Sequence, residues 1–301
     1  MIIDRIDLAI LRHLERSGYW LMPLQHQLQI DPAEIKTRIT RLETEGVISA
    51  YKPTIFIPPF LGGEWVWGCV LAITNDYNKA IAKITNKIPF VSEIWINTNI
   101  PSKIGHNLSV VFYSKDFITE TKFLKDMVEF SYLETYRISD YTYPFPKIFS
   151  SEEKQLLKAI TNNPTANAEE LSEICKKNKN WIEAKLEKLI WNPQNPEGIL
   201  MILPEINYNK IQNFCHCHFV LEITGKVDAI LEELKAQGFE VVLENKPFQY
   251  NFSQLETDLW GFDDLLRKKH LLESYPEIKV QGIVIAEEMR VISDWADKLL
   301  E

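Results

Sequence analysis

The chain has 301 residues, 46% of them hydrophobic and 25% charged, with a formal net charge of −9. These are globular values that leave room for two or more domains with proper cores, and no apolar run approaches the ~20 residues of a membrane helix. Four cysteines (Cys69, Cys175, Cys215, Cys217) in so long a chain give no disulfide framework, so a reducing cytoplasm and no membrane partner are expected.

Asp4 to Ser17 reads as a first helix with Ile6, Ile10, Leu11 and Leu14 inward. Leu8-Ala9-Ile10-Leu11 within it is too short and amphipathic for a signal peptide. Trp20 to Leu28 reads as a second helix. A third follows from Asp31, which can cap, through Pro32, suited to the first helical position, to Gly46, suited to ending it. Glu34 completes a capping-box pattern with Asp31. Ile35, Ile39 and Leu42 share one face of this helix, and Val47-Ile48 begin a strand. Helix, turn, helix and wing is a unit whose recognition helix enters the major groove. Tyr51 to Gly63, with three prolines and two glycines, reads as wing and linker.

A βαββαβ order follows, the ferredoxin-like pattern. Its strands are Trp65–Thr74, Val91–Asn99, Asn107–Tyr113 and Leu133–Tyr143, with helices over Tyr77–Ile88 and Ile118–Phe130. Then the pattern restarts. Helices are expected from Ser150, over Asn167–Cys175 and over Trp181–Ile190, where Ile182, Leu186 and Leu189 repeat the spacing of Ile35, Ile39 and Leu42. Glu197-Gly198-Ile199-Leu200 echoes Glu45-Gly46-Val47-Ile48, and Val220 to Thr224 echoes Val70 to Thr74. Helices over Val227–Gln237, Asp263–Ser274 and Val291–Leu300, with strands over Phe239–Leu243, Gln254–Trp260 and Val280–Ala286, complete the second half. The fold class is therefore α+β: two tandem copies of a winged helix-turn-helix plus a ferredoxin-like domain. The expected boundaries are 1–63, 64–148, 149–210 and 211–301.

Residues 3 to 62 resemble the Lrp/AsnC (feast/famine) transcription regulators. The resemblance is carried by Ile6-Asp7, Ile10-Leu11, Arg38, Arg41-Leu42-Glu43, Gly46-Val47-Ile48, Tyr51 and Leu61-Gly62. It implies a winged helix followed by a ferredoxin-like ligand-sensing domain. It also implies a two-fold assembly, here an intrachain pseudo-dimer or a homodimer. The tandem arrangement is similar as well to the sirohaem decarboxylases, which need histidines and arginines lining a tetrapyrrole pocket between sensing domains.

Four groups of residues are candidates for function. Lys36, Thr37, Thr40 and Arg41 point outward from the third helix, toward base edges or phosphates of double-stranded DNA. Arg38 at the flank and Lys52 on the wing suit phosphates. The alternative is an ordinary charged face on a scaffold module. In the second copy Glu183, Ala184 and Glu187 stand where Lys36, Thr37 and Thr40 stand, so groove reading is expected to be lost there. Nearly all the acidic excess lies in the last third of the chain, which should face away from phosphate.

Gly105, His106 and Asn107 occupy the turn where the resembling family binds small effectors, with Tyr250 and Asn251 as the second copy's counterpart; a plain β-turn is the alternative. The region Ser102–Leu108 holds no arginine for propionates, and the second copy holds no histidine matching His106. In Cys215-His216-Cys217-His218 the cysteines should face one side of a strand and the histidines the other, which is not a zinc-finger spacing. A histidine pair with a ligand from elsewhere could hold a metal, a packed strand being the alternative. No nucleophile triad or phosphate-cradling loop is present. The sequence thus favours a DNA-binding regulator modulated by a small effector, without catalysis, cofactor or metal. A tetrapyrrole decarboxylase and a partner-binding adaptor remain as the other two readings.

Overall fold

A computed structural model describes residues 1–19, 29–100, 105–127, 130–191, 195, 197–224, 228–243, 252–293 and 299–300. The expected helix over Trp20–Leu28 and the turn residues Tyr250 and Asn251 lie outside them.

Two helices of the first winged unit are described, α1 (Arg5–Ser17) and α2 (Pro32–Thr44). Asp4 and Asp7 close a capping box on α1. On α2, Asp31 accepts from Ala33 N at 2.7 Å, while Glu34 turns to Arg38 instead of back to the cap. Gly46, at φ +72°, ends α2 in a Schellman motif: its N–H donates to Glu43 O, and Val47 N–H to Leu42 O. Ile10, Leu11 and Leu14 meet Ile35, Ile39 and Leu42 in a buried core, as their spacing predicts.

The wing is the strand β1 (Ile48–Ile55), and the proline-rich linker forms a short helix, α3 (Ile57–Leu61). Then come β2 (Gly63–Thr74), α4 (Tyr77–Lys87), β3 (Phe90–Ile100) and β4 (Leu108–Ser114). After them, α5 (Phe117–Lys122) tightens into a 3-10 turn and ends sooner than the sequence predicts, because β5 (Phe130–Tyr143) starts earlier. The second half supplies α6 (Ser151–Asn162), α7 (Ala168–Cys175), α8 (Lys179–Leu189) and β6 (Leu200–Asn207). Next are β7 (Cys215–Ile223), α9 (Asp228–Ala236), β8 (Glu240–Leu243) and β9 (Phe252–Leu259). The last described elements are α10 (Phe262–Glu273) and β10 (Ile278–Val291). Val291, expected to open a closing helix, is the last residue of β10.

The sheet runs β5-β2-β4-β3-β10-β7-β9-β8. Each half follows the ferredoxin-like order, fourth strand, first, third, second. The halves join where β3 pairs antiparallel with β10. The fold is thus a mixed α+β arrangement of winged-helix and ferredoxin-like units. One face is covered by α4 and α5 in the first half and by α9 and α10 in the second, over two apolar cores.

The wings do not stand free. β1 pairs antiparallel with β6, from Ile48 against Ile206 to Ile55 against Leu200, nearly symmetrically end for end. Each winged unit then packs on strands of the other half. α1 and α2 bury their apolar faces with Leu203, Ile206, Tyr208 and Met289, while α6, α7 and α8 bury theirs with Ile55, Ile57, Phe60 and Trp65. Because both cores draw on both halves, the described chain should melt as one unit. Ile206→Ala, at a position with no solvent exposure, should cost about 2–5 kcal/mol. Urea denaturation followed by tryptophan fluorescence and by circular dichroism should show one coincident transition; separate transitions would contradict the interleaving.

Candidate functional site

The outward face of α2 is only partly available. Lys36, Thr37 and Thr40 are exposed. Thr37 donates its hydroxyl to Ala33 O at 2.8 Å, along its own helix. The arginines are held in ion pairs with α1, Arg38 half-buried and Arg41 still exposed. Arg38 lies 2.9 Å from both Asp4 and Asp7 and 3.0 Å from Glu34, and Arg41 also pairs with Asp7, whose side chain is wholly buried. A buried carboxylate needs such partners, so the two guanidiniums serve to lock α1 onto α2. Lys52 pairs with Glu205 at 3.3 Å across the joined wings. A groove of about 460 Å³ runs beside α2, lined among others by Lys36, Thr40, Glu43, Tyr51 and, from the second half, Thr165. In the second winged unit Lys177, Lys179 and Lys185 each lie against a glutamate, Glu152, Glu169 and Glu153 respectively.

The predicted effector turn divides by role. At Gly105 a Cβ would lie 2.0 Å from the Asn99 amide oxygen, so a side chain there requires Asn99 to move. Asn107 is a clamp: its side chain accepts from Thr74 N at 2.9 Å and donates to Thr74 O at 2.8 Å. His106 is buried, with its pKa lowered to about 3 by desolvation and then by the nearby His218.

That histidine borders a polar surface which sequence spacing did not reveal. Cross-strand register places Glu93, Trp95, Asn97 and Asn99 of β3 on one face with Ser109 and Val111 of β4. Through β10 the same face continues to His216 and His218 of β7, which stand opposite Asp258 and Glu256 of β9. Cys217 faces the other way, into the apolar core beneath α9 and α10, as strand alternation predicts. The polar face is roofed by α1. Arg12 donates from Nε to Asp258 at 2.8 Å and from Nη1 to Glu15 at 2.8 Å, and it also touches His216 Nδ1. Tyr208 donates to Glu15 at 3.2 Å and stacks over His216, with ring centres 5.4 Å apart.

Burial sets the protonation states. Desolvation, helped by the charge of Arg12, takes His216 down to about 3, and desolvation takes His218 down to about 4. Glu15, Glu93 and Glu256 are all pushed above their ordinary range, burial being the largest cause. Burial opposes ionisation of Asp258 as well, but the hydrogen bond from His216 and the charge of Arg12 win, and its pKa falls to about 2. Three buried polar atoms on or beside this face have no partner: Trp67 Nε1, Asn99 Oδ1 and His216 Nε2. Tyr51, Ser114 and Glu120 supply the other such atoms among the described residues.

No family model matches the chain, and no curated protein matches it. Among solved structures it is similar to the sirohaem decarboxylase NirDL, at 12% identity and a TM-score of 0.48, covering 98% of each chain. It is also similar to AsnC of E. coli, at 16% identity and a TM-score of 0.28, over 50% of this chain and 99% of that one. LrpC of B. subtilis gives 17% identity and 0.29 over 50% of this chain and 99% of its own. At such values the likeness concerns the course of the chain alone and transfers no residue roles.

The folded pKa values of His106, His216 and His218 lie below the ordinary 6.5. The unfolded chain therefore takes up protons first as pH falls through about 6.5, and stability drops until pH reaches the folded values near 3 to 4. Asp258 acts in the same sense lower down, its stabilisation being present above 3.8 and lost toward about 2. The histidines pull the urea midpoint down between about pH 7 and pH 4.5, while the raised pKa values of Glu15, Glu93 and Glu256 act in the opposite sense, so the histidine share is read by comparison with a variant. In His106→Gln the midpoint should fall less steeply, and an unchanged slope would mean that His106 is solvated.

Proposed function

We propose that this protein works at the polar face beneath α1 as a decarboxylase of the sirohaem type, rather than as a reader of DNA. The support is the unpartnered acceptor Asn99 Oδ1 near the junction of the two halves, beside the turn that carries the buried His106. A buried acceptor left unmade costs about 1–3 kcal/mol, and a bound ligand that donates to it removes that cost. The stacked rings of Trp95 and Tyr208 give the face the flat apolar character that suits a macrocycle. Of the histidines such a pocket needs, His106 is the one this reading uses, while His216, His218 and Arg12 lie farther along the face beneath α1.

In this reading an acetate side chain of the substrate loses CO2 as its C–C bond breaks, and the carbon left behind takes a proton. Glu93 is suited to supply that proton. Burial raises its pKa, the bond from Trp95 Nε1 lowers it in part, and the charge of Glu15 raises it again. The same proposal takes the chain as two repeats in pseudo-dimeric arrangement, with winged units at 1–63 and 149–210 and ferredoxin-like units at 64–148 and 211–301.

Sirohaem added to the purified chain should shift its Soret band and lose carboxyl groups as CO2, detected by mass spectrometry of the porphyrin. Asn99→Ala, which removes the unpartnered acceptor, should weaken binding about 5–10-fold. An unchanged spectrum at saturating sirohaem would end the reading.

Exposed Lys36, Thr37 and Thr40 favour a second reading, the sequence-specific regulator. In that case Lys36→Glu should weaken binding of selected genomic fragments and lower the salt slope by about 1, measured by fluorescence anisotropy.

A further inference from the structure

His216, His218 and Glu256 place an imidazole nitrogen, a second imidazole nitrogen and a carboxylate oxygen within 4.8 Å of one another on the polar face of β7 and β9. We propose that they form a binding site for a divalent transition-metal ion of the Zn2+ class. This goes beyond the decarboxylase reading and does not depend on it.

The strands supply the geometry. His216 and His218 are two residues apart and so share a face, while Glu256 is the direct cross-strand partner of His218. The sequence offers the histidine pair but leaves the third ligand unnamed, because residues 218 and 256 meet only once β7 and β9 pair. The expectation of no metal is revised on that ground.

The outer groups orient both rings. His216 Nδ1 lies 3.2 Å from Asp258 Oδ1, and His218 Nδ1 lies 3.3 Å from the Gln254 side-chain oxygen. With Nδ1–H donated to those acceptors, each ring presents the lone pair of Nε2, the arrangement typical of metal-bound histidines. Arg12, which only donates, also touches His216 Nδ1, so metal binding requires that nitrogen to turn its proton to Asp258 while the guanidinium moves off the ring and keeps its bonds to the Asp258 carboxylate. His216 Nε2 is buried and has no hydrogen-bond partner. It lies 3.6 Å from Glu256 Oε1, against the separation of about 3.4 Å for two donors on one tetrahedral ion at about 2.1 Å each.

Charge points the same way. Around the site the carboxylates of Glu15, Glu240, Glu256 and Asp258 face the guanidiniums of Arg12 and Arg16. Four negative groups against two positive ones leave room for one divalent cation. Two imidazoles and one carboxylate match the borderline-ion preference, and three protein ligands leave an open position for water.

Cobalt tests the site, since Co2+ replaces Zn2+ in such ligand sets and is coloured. The full chain, stripped with chelator and free of tetrapyrrole, should develop visible d–d bands at one equivalent of Co2+, and Zn2+ should abolish them. His218→Asn and Glu256→Gln should each remove the bands while far-ultraviolet circular dichroism stays native. Asp258→Asn should weaken Zn2+ binding about 10–100-fold through the ring it orients. Cys215→Ser should change nothing.

Absence of bands in the wild-type chain would overturn the site, as would persistence in both ligand variants. A thiolate charge-transfer band lost in Cys215→Ser would overturn it in favour of cysteine ligation. Because no sirohaem is present, failure here leaves the Soret titration of the decarboxylase reading to stand or fall alone.

Discussion

Arg12 ties the molecule together. Its guanidinium, bonded to Glu15 on its own helix, leaves the first winged unit and enters the second half's sheet, where it meets Asp258, Glu256 and His216. A largely buried cation is costly unless its hydrogen bonds are filled, and once filled it strongly resists removal of any partner. The same contact holds α1 as a roof over β7 and β9, keeps Asp258 ionised, and desolvates the histidines. Loss of Arg12 would leave Asp258 uncompensated and open the polar face to water.

The joined wings have a comparable effect on the surface. A winged-helix module that reads DNA keeps a basic helix face and a wing free to reach the backbone. Here the wing strand is paired with its counterpart, Lys52 is matched by Glu205, and Arg38 and Arg41 are turned toward Asp7. The cations that carry the family resemblance thereby hold helix to helix. What remains outward on α2 is Lys36, Thr37, Thr40 and an exposed Arg41 held to Asp7, among acidic neighbours, a weak electrostatic footprint for a chain of net charge −9.

The polar face divides between the halves. Toward the first half, Asn99 and His106 border a surface with an unmade hydrogen bond, which continues along β3 to Trp95 and Glu93. Toward the second half, His216, His218 and Glu256 are packed under α1 and suited to an ion. The two parts lie on one continuous sheet surface because β3 and β10 pair across the junction.

Much of the fold was legible in the residues themselves. Helical spacing of Ile35, Ile39 and Leu42, the glycine after α2, the βαββαβ order and the alternation in Cys215-His216-Cys217-His218 are local properties, set by 3.6-residue and two-residue periods and by the backbone freedom of glycine. Where the charges and donors went could not be read that way. Arg12 meets Asp258, 246 positions away, and His218 meets Glu256 only through cross-strand register. Arg38 and Arg41 point to Asp7 because a carboxylate buried between two helices draws the nearest cations, which periodicity does not encode. The sequence by itself determined the elements and their faces. Tertiary structure alone decided which faces close on one another, since desolvation and ion pairing depend on distances in space that separation along the chain does not supply.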